Sequence, residues 1–308
     1  MKIIITGATG FVGSALSHFL GKNGQHELTC LNSKNCNLLK ANSLDAFSSD
    51  SYDVIIHLAA WTQAGDFCLR HPGEQWINNQ FINTHVLEWW QRAQPQAKLV
   101  FMGTSCAYAP GGNLTEDTYM AGEPIDSLYT YAMTKRMLFQ GARALHAQYG
   151  LRWLCAVPST LYGPNYHTDG RQLHFIFDLI RKILRGRDLN EPVVLWGDGW
   201  QKRELVYIED FVNILWRLVS SVDNDIVNIG AGEEYTIRTF AGLLCDIIGY
   251  DQSKIVYDES KYTGAKSKCL SVEKAKKLLE DDYDMTPLSK GLQQAVAWFE
   301  ENKLHLAN

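Results

Sequence analysis

Short apolar, β-branched runs alternate with longer amphipathic stretches along the first half of the chain. The runs that predict strands are Lys2–Thr6, Glu27–Leu31, residues 54–58, Lys98–Met102, residues 151–157, 193–196 and 225–230. The stretches that predict helices are residues 12–20, 75–93, 175–185 and 290–300. Strands that alternate with helices imply right-handed crossovers and a doubly wound parallel α/β sheet of the Rossmann type. Such a sheet binds ligands at the carboxyl ends of its strands.

The alternation becomes less regular after about residue 158. Residues 158–172 are rich in Gly, Pro, Asn, Tyr and Thr, which is typical of a functional loop. We expect a Rossmann unit over residues 1–160, rejoined by about residues 204–231. A smaller α/β unit is expected over residues 161–203 and 232–308. The two units are therefore expected to interleave.

Composition excludes several classes of protein. The 308 residues carry a net charge of −5 without a long basic block, which argues against a nucleic-acid partner. Seven cysteines without a C-x-x-C pair argue against a metal site or disulfide framework and favour a reducing compartment. No apolar run approaches the roughly 20 residues that span a bilayer, and the first residues predict a strand rather than a signal peptide. We expect a cytoplasmic protein that binds no membrane.

Three glycines, Gly7, Gly10 and Gly13, follow the first predicted strand and precede the first predicted helix. A dinucleotide-binding loop needs glycine where the chain turns tightly, where backbone meets pyrophosphate and where helix packs on strand. The helix N-terminus then offers N–H groups and a positive dipole end to the phosphates. An ordinary strand–helix turn is the alternative, but the position in the chain favours a dinucleotide.

The second predicted strand is followed by Asn32, Ser33 and Lys34, with no carboxylate to bind a ribose 2′-hydroxyl. Ser33 and Lys34 are suited to a 2′-phosphate, so the sequence favours NADP(H) over NAD(H). The alternative is that both are ordinary surface residues.

Tyr131 and Lys135 are four residues apart, which places them on one face of a helix. A phenol has a pKa of about 10, and a neighbouring ammonium favours the phenolate. We therefore expect Lys135 to bring the pKa of Tyr131 toward the working range of a proton shuttle. Hydroxyls at Thr104 and Ser105, after the fourth predicted strand, are suited to completing this site.

Further segments at residues 57–60, 158–164, 196–199, 203–210 and 228–230, together with Asn79, complete a specific pattern. The chain resembles the extended short-chain dehydrogenase/reductases of the NAD-dependent epimerase/dehydratase family, which act on nucleotide sugars. The resemblance implies that Tyr131 is the acid/base and that Lys135 tunes it and holds the nicotinamide ribose. It implies that Thr104 hydrogen-bonds the reacting oxygen. His57 is more simply a packed strand residue.

The same resemblance implies a wider set of cofactor contacts beyond the three glycines, the turn at 32–34 and the Tyr–Lys pair. These are Thr9, Phe11, Val12, Asn37, Leu38, Leu58, Ala59, Ala60, Pro158 and Leu161. Members of the family are commonly homodimers through a helix bundle. Residues 87–93 and 135–148 are the expected dimer face.

Within the family, the chain is most similar to the GDP-L-fucose synthases, which epimerise C3 and C5 of a GDP-linked 4-keto-6-deoxy sugar and then reduce C4 with NADPH. The resemblance places their acid/base pair at Cys106 and His174. A thiolate can remove a proton next to a ketone, and an imidazolium can return one. Taken singly, Cys106 is as well explained as a small buried residue and His174 as a helix cap.

The resemblance also implies a set of substrate contacts, which are Thr104, Ser105, Cys106, Thr160, His174, Lys182, Trp196, Arg203 and Lys268. Arg203, Lys182 and Lys268 would bind the diphosphate or sugar, although Lys182 is equally well explained as a surface charge. The chain departs from the group at Ser159 and Thr160, at residues 110–123 and after the second strand, which leaves the sugar undetermined. Two alternatives remain: a 4-ketoreductase (including one acting on a heptose) or epimerase with a single function, and a non-catalytic NADP-sensing regulator.

Overall fold

The computed structural model describes residues 1–22, 24–167, 169–261, 266–280 and 282–306. Its strands are β1 (Lys2–Thr6), β2 (Glu27–Leu31), β3 (Val54–His57), β4 (Lys98–Met102), β5 (Trp153–Pro158), β6 (Thr160–Tyr162), β7 (Val194–Trp196), β8 (Lys202–Arg203), β9 (Leu205–Tyr207), β10 (Asp225–Ile229), β11 (Tyr235–Thr236) and β12 (Val256–Asp258). Its helices are α1 (Phe11–Gly21), α2 (Phe67–Arg70), α3 (Pro72–Ala93), α4 (Tyr129–Tyr149), α5 (Phe175–Leu189), α6 (Ile208–Ser221), α7 (Ile237–Ile248), α8 (Glu273–Leu278) and α9 (Leu288–Glu301).

A six-stranded parallel sheet forms the centre of the molecule, in the order β10-β5-β4-β3-β1-β2. The predicted doubly wound α/β fold is therefore confirmed, including the late strand that returns to the sheet as β10. Chain order reverses between β1 and β3, and open α/β sheets bind ligands outside the strand ends at such a point. The glycine turn follows β1 at this position.

One predicted strand lies elsewhere. Residues 194–196 form β7, which pairs with β12 in a separate two-stranded sheet rather than joining the central one. Val193 and Leu195 are buried, but they pack in a core built around α5, α7 and α9. An apolar run indicates burial without indicating the partner, which is why the sequence could not separate the two sheets. The predicted limits of β3, β5 and α5 are also wrong by one to four residues.

The sheet is covered on both faces. Ile4, Ile55 and Phe101 point toward α3 and α4, whereas Ile3 and Ile5 point toward α1 and α6. This alternation is the two-residue period of a strand with both faces buried. The core around α5, α7 and α9 is built from residues between 162 and 207 and between 237 and 299, and the division into two interleaved units stays a prediction. None of the helices in the described part of the chain is long and apolar enough to cross a membrane.

A buried hydrogen-bond chain lies beneath the glycine turn. The Thr6 hydroxyl oxygen accepts from the N–H groups of Leu58 and Ala59, both at 3.2 Å, so its own proton points to His57 Nδ1 at 2.8 Å. His57 then carries its proton on Nε2 and donates it to Asn83 Oδ1 at 3.2 Å. The Asn83 amide donates to the carbonyl of Thr134, beside Lys135, at 3.4 Å. His57 is thus a packed strand residue, as expected.

This environment predicts a loss of stability in acid. Burial, with a contribution from Lys135, lowers the pKa of His57 from 6.5 to about 4. Above pH 6.5 the ring is neutral in both the folded and the unfolded chain. As pH falls from 6.5 toward 4, His57 becomes protonated in the unfolded chain but stays neutral in the folded protein, so the folded state loses stability. On acidification from pH 7 to about pH 4.5, this difference at His57 should lower the free energy of unfolding by about 2 kcal/mol.

The measurement is urea unfolding at both pH values for the native protein and for His57→Gln. The variant is expected to be less stable at pH 7 but to lose less on acidification, because it has no imidazole at this position. An equal loss in both proteins would show that another group carries the acid sensitivity.

Candidate active site

Four strands of the sheet end at one edge, and each is followed by a residue that the sequence singles out. Gly7 follows β1, Leu58 follows β3, Thr104 lies two residues beyond β4, and Pro158 ends β5. The parallel register brings these strand ends together. The predicted site residues on these strands therefore lie along one edge, as expected for a doubly wound fold.

Glycine is favoured at each of the three positions in the turn for a different physical reason. Gly7 has φ of +68°, and a Cβ there would lie 2.8 Å from the backbone nitrogen of Ala59. A Cβ at Gly13 would lie 2.2 Å from the carbonyl oxygen of Gly7, so helix and strand pack too closely for any side chain. Gly10 has φ of −76° and is exposed, and its Cβ would meet only the Gly7 oxygen at 3.3 Å. A Cβ at Gly10 would therefore be tight against the turn but would not overlap it, and the exposed backbone at Gly10 is open to a ligand.

The N-terminus of α1 faces the same space. No side chain caps this end in the described residues, and its first turn carries no acidic residue. Its N–H groups and positive dipole end suit an anion. The Ala8 N–H donates to the Leu31 carbonyl at 2.9 Å, which puts the turn after β2 beside the glycines. Asn32 Oδ1 accepts from the Lys34 N–H at 2.9 Å and shapes that turn, with Ser33 and Lys34 exposed.

Thr104 and Tyr131 share a hydrogen bond at the end of β4. Thr104 is extended and its hydroxyl oxygen also accepts the Cys106 N–H at 3.2 Å, which begins a short 3₁₀ turn over Ser105–Ala107. Tyr131 lies in the first turn of α4, and Lys135 Nζ is 6.0 Å from the centre of its ring. The structure thus brings together four of the residues that the sequence selected.

The pKa values of Tyr131 and Lys135 differ from the sequence-based expectation. Burial raises the pKa of Tyr131 above its ordinary value of 10, with a further increase from Cys106, against an opposing hydrogen bond from Thr104. Burial lowers the pKa of Lys135 to about 8. Loss of water around the phenol outweighs the nearby ammonium. In the free protein Tyr131 is therefore a neutral hydroxyl that can donate a proton.

Cys106 lies against a lysine. Its Sγ accepts a hydrogen bond from Lys268 Nζ at 3.0 Å. Burial opposes ionisation of the thiol, but Lys268, Thr104 and Arg203 together outweigh burial and lower its pKa. A thiolate is the reactive form of cysteine, so this environment favours the base that the sequence predicts.

Two carboxylates that sequence reasoning missed hold the segment carrying Lys268. Glu234 accepts from the Lys268 N–H at 2.9 Å and from the Ser267 hydroxyl at 2.7 Å. Glu204, only 1% exposed, accepts from the Leu270 N–H at 3.0 Å and from two N–H groups after β10. Their partners lie 27 to 66 residues away and are mostly backbone, so the sequence carries no signal for them.

Arg136 is a second residue that the sequence did not reveal. Its buried guanidinium donates to the carbonyls of Ala107 at 2.6 Å and of Ala121 and Gly122, both at 2.8 Å. It therefore joins α4 to the Cys106 turn and to the segment 110–123. Tyr119 in that segment accepts the Thr104 N–H at 3.3 Å. The end of segment 110–123 thus supports the site through Tyr119 and the carbonyls of Ala121 and Gly122.

His174 lies directly before α5, and its buried Nδ1 has no hydrogen-bond partner within the described ranges. Burial lowers its pKa to about 4, and the charges of Lys268 and Arg203 contribute. The imidazolium expected from the sequence is thus disfavoured in the free protein, mainly because the ring is buried and further because of the two positive charges. An anion beside those cations would reverse their effect.

The remaining predicted substrate residues are less closely grouped. Lys182 forms an ion pair with Asp178 at 2.9 Å, one turn earlier on α5. Trp196 ends β7 with its side chain 58% exposed. Thr160 lies on β6 opposite Leu205, and Arg203 lies on β8 opposite Tyr235. Over the residues that the structure describes, no three His, Cys, Asp or Glu side chains are grouped to hold a metal ion.

Comparisons with known proteins show the family to which the chain belongs. A profile of the NAD dependent epimerase/dehydratase family matches residues 3–230. A protein of Oryza sativa subsp. japonica named Probable GDP-L-fucose synthase 1 is 28% identical over 98% of this chain and 92% of its own length. The GDP-L-fucose synthase of Escherichia coli (strain K12) is 27% identical over 98% of this chain and 97% of its own length.

A solved structure has the same fold. The GDP-L-fucose synthetase of Naegleria fowleri bound to NADP superimposes with a TM-score of 0.86 at 24% identity, covering 98% of this chain and 94% of that one. At this identity the likeness shows the fold, and its extent includes both the central sheet and the part built around α5, α7 and α9.

The cations around His174 lead to a titration prediction. Among the nine histidines, His174 should titrate near pH 4 in the free protein, as followed by NMR of labelled imidazole rings. Lys268→Met should move this titration upward, because one of the two cations that oppose the imidazolium is removed. Lys182→Met should leave it in place, since that lysine is paired with Asp178. The resonance is assigned by its loss in His174→Asn. A titration near pH 6.5 in the native protein would contradict the buried, cation-faced ring.

Proposed function

Because the chain belongs to the NAD dependent epimerase/dehydratase family, we propose that it is an NADPH-dependent epimerase and reductase of a GDP-linked 4-keto-6-deoxy sugar. The observation that carries this proposal is the Cys106–Lys268 contact beside the hydrogen-bonded Thr104 and Tyr131. Cys106 and Lys268 are suited to removing a proton next to a ketone. Thr104 and Tyr131 are suited to protonating the ketone oxygen. Full-length similarity to proteins named GDP-L-fucose synthase supports the GDP-sugar class.

We propose NADP(H) as the cofactor. The open backbone at Gly10 and the uncapped start of α1 suit a pyrophosphate, and exposed Ser33 and Lys34 suit a 2′-phosphate. A relative of the same fold binds NADP, which supports this choice over NAD(H). When bound, NADPH supplies the hydride for C4.

In the epimerisation half, the Cys106 thiolate removes a proton from the carbon next to the ketone. The electrons of that C–H bond move to the C4 oxygen, whose charge is stabilised by the hydroxyls of Thr104 and Tyr131. His174 returns a proton from the opposite face. We propose that the substrate diphosphate, bound near Arg203 and Lys268, offsets the two cations and allows His174 to become charged.

In the reduction half, the neutral phenol of Tyr131 gives its proton to the C4 oxygen. The raised pKa of Tyr131 keeps it protonated at neutral pH until the transfer occurs. Lys135, with a pKa of about 8, is then still mostly an ammonium and balances the phenolate that forms. Burial of Tyr131 disfavours the phenolate in the resting protein, and it therefore keeps the hydroxyl protonated and able to donate.

We also propose a cytoplasmic homodimer. Seven free cysteines, including Cys106, which acts as the base, favour a reducing compartment. The predicted dimer face at 87–93 includes Trp89 and Trp90, which are buried against the sheet, so that segment offers little apolar surface. Large exposed apolar side chains lie instead on the first half of α3, at Trp76, Ile77 and Phe81. This half is the face that we propose for the dimer.

Separate variants should divide the two half-reactions. With a GDP-4-keto-6-deoxy sugar in deuterated water, Cys106→Ser should lower deuterium incorporation at C3 and C5 by about 100-fold or more while keeping some direct reduction of the ketone. Tyr131→Phe should lower NADPH oxidation by a similar factor but retain part of the deuterium incorporation, because the Thr104 hydroxyl still stabilises the charge on the C4 oxygen. Mass spectrometry of the sugar and NADPH absorbance provide the two readouts.

Undiminished incorporation in Cys106→Ser would overturn the role of the thiol. NADPH oxidation without any incorporation in the native protein would identify a reductase with a single function. Tight NADPH binding without turnover across nucleotide sugars would identify a regulator.

The glycines of the turn provide a matched pair of variants for cofactor binding. Gly10→Ala should fold with a smaller loss of stability than Gly13→Ala, because its Cβ would meet the Gly7 carbonyl oxygen at 3.3 Å, but it should weaken NADPH binding by about tenfold or more. Gly13→Ala should lose about 1–3 kcal/mol of stability, because its Cβ would overlap the Gly7 carbonyl. Thermal unfolding and NADPH fluorescence titration measure these effects. Equal NADPH affinity in Gly10→Ala and the native protein would place the dinucleotide elsewhere.

A further inference from the structure

We propose that Lys268 generates and holds the Cys106 thiolate, and is therefore part of the proton-transfer machinery rather than only a contact for the diphosphate. The use of this thiolate in epimerisation rests on the proposed function. The ion pair itself belongs to the free protein and can be tested there without any sugar.

The geometry points to direct ionisation of the thiol. Lys268 Nζ lies 3.0 Å from Cys106 Sγ, within hydrogen-bonding distance for sulfur. The Cys106 N–H is held by the Thr104 hydroxyl, so the turn presents Sγ in a fixed direction. When the S–H bond breaks, its proton passes to a base in solvent and its electrons stay on sulfur. Lys268 keeps its own proton, which leaves a thiolate–ammonium pair.

Within the part of the chain that the structure describes, no other charged side chain makes this contact with the sulfur. The groups that act electrostatically on Cys106 or on its neighbours are Lys268, Arg203 on β8, Tyr131 on α4 and Cys68 on α2. Tyr131 and Cys68 favour the neutral thiol, because both form anions when they ionise. Arg203 favours the thiolate through its charge, whereas Lys268 both carries a positive charge and hydrogen-bonds the sulfur. Lys268 is therefore the main group that offsets the cost of burying a thiolate.

The backbone on either side of Lys268 is anchored. Glu234 accepts the Lys268 N–H and Glu204 accepts the Leu270 N–H, which holds the segment across the end of the site. Such anchoring means that little backbone freedom is lost when the ammonium meets the sulfur. An ammonium has three N–H donors, so one contact to Sγ leaves two for an anionic substrate. Binding the diphosphate and holding the thiolate are compatible roles.

The pair also fits both stages of the proposed epimerisation. In the resting site the ammonium balances the thiolate. When Sγ takes a proton from the sugar carbon, the negative charge leaves sulfur for the ketone oxygen, and the ammonium becomes available to the diphosphate. Returning the proton to solvent restores the pair, so no oxidant or additional reactant is required.

The test is alkylation of the free, full-length protein by iodoacetamide across a pH series. The Cys106 peptide is followed by mass spectrometry, since seven cysteines are present. In Lys268→Met the midpoint of the pH–rate profile should move upward, and the rate at pH 7 should fall by about threefold to tenfold. The fall in rate is smaller than the loss of thiolate, because a thiolate of higher pKa is intrinsically more nucleophilic.

Two further variants serve as controls. Lys268→Arg retains the charge and should retain a midpoint near that of the native protein. Lys266→Met removes the same charge from the same exposed segment and should leave the midpoint unchanged. Circular dichroism and the ultraviolet absorbance of the thiolate, referenced to Cys106→Ser, separate loss of folding from loss of the ion pair.

An unchanged midpoint in folded Lys268→Met would overturn this inference even if the native protein epimerises sugars. A raised midpoint supports it, including in a protein that exchanges no substrate hydrogen, and in that case the proposed function alone would fail.

Discussion

The hydrogen bonds of the Thr6 hydroxyl hold the site together, because a single orientation of its proton satisfies all of its partners. It accepts two N–H groups from the chain after β3 and gives its single proton to His57. That choice fixes the tautomer of His57 and continues through Asn83 to the helix that carries Lys135. The end of β1, the end of β3 and α4 are thereby held together directly beneath the glycine turn. A buried network of this kind is stabilising only when each member is satisfied.

Above this chain, desolvation decides the state of each titratable group. Burial keeps Tyr131 protonated, brings Lys135 to a pKa of about 8 and keeps His174 neutral. Cys106 is the exception, because an ammonium lies directly on its sulfur. The site therefore combines a thiol whose ionisation is favoured with two neutral groups, Tyr131 and His174, that can give or take a proton. An anionic ligand would change this balance most strongly at His174, which faces two cations.

The residues that position these groups act mainly on the backbone. Glu204 and Glu234 hold the segment of Lys268, and Arg136 holds the turn of Cys106. Each of these three side chains hydrogen-bonds carbonyl or N–H groups of other segments. Its effect on the site is therefore to fix the position of the backbone. Their arrangement explains how a cysteine after β4 and a lysine 162 residues later come within 3.0 Å of each other.

The sequence by itself determined the parallel α/β sheet and the residues of the glycine turn and the Tyr131–Lys135 pair, because periodicity and short spacings act within one element. Tertiary structure alone decided that β7 leaves the central sheet, that Lys268 lies on Cys106 and that Glu204 and Arg136 support the site. It also decided the protonation of Tyr131 and His174. Burial and the distance between charges depend on which segments meet in space, and an individual stretch of chain carries no record of its partners.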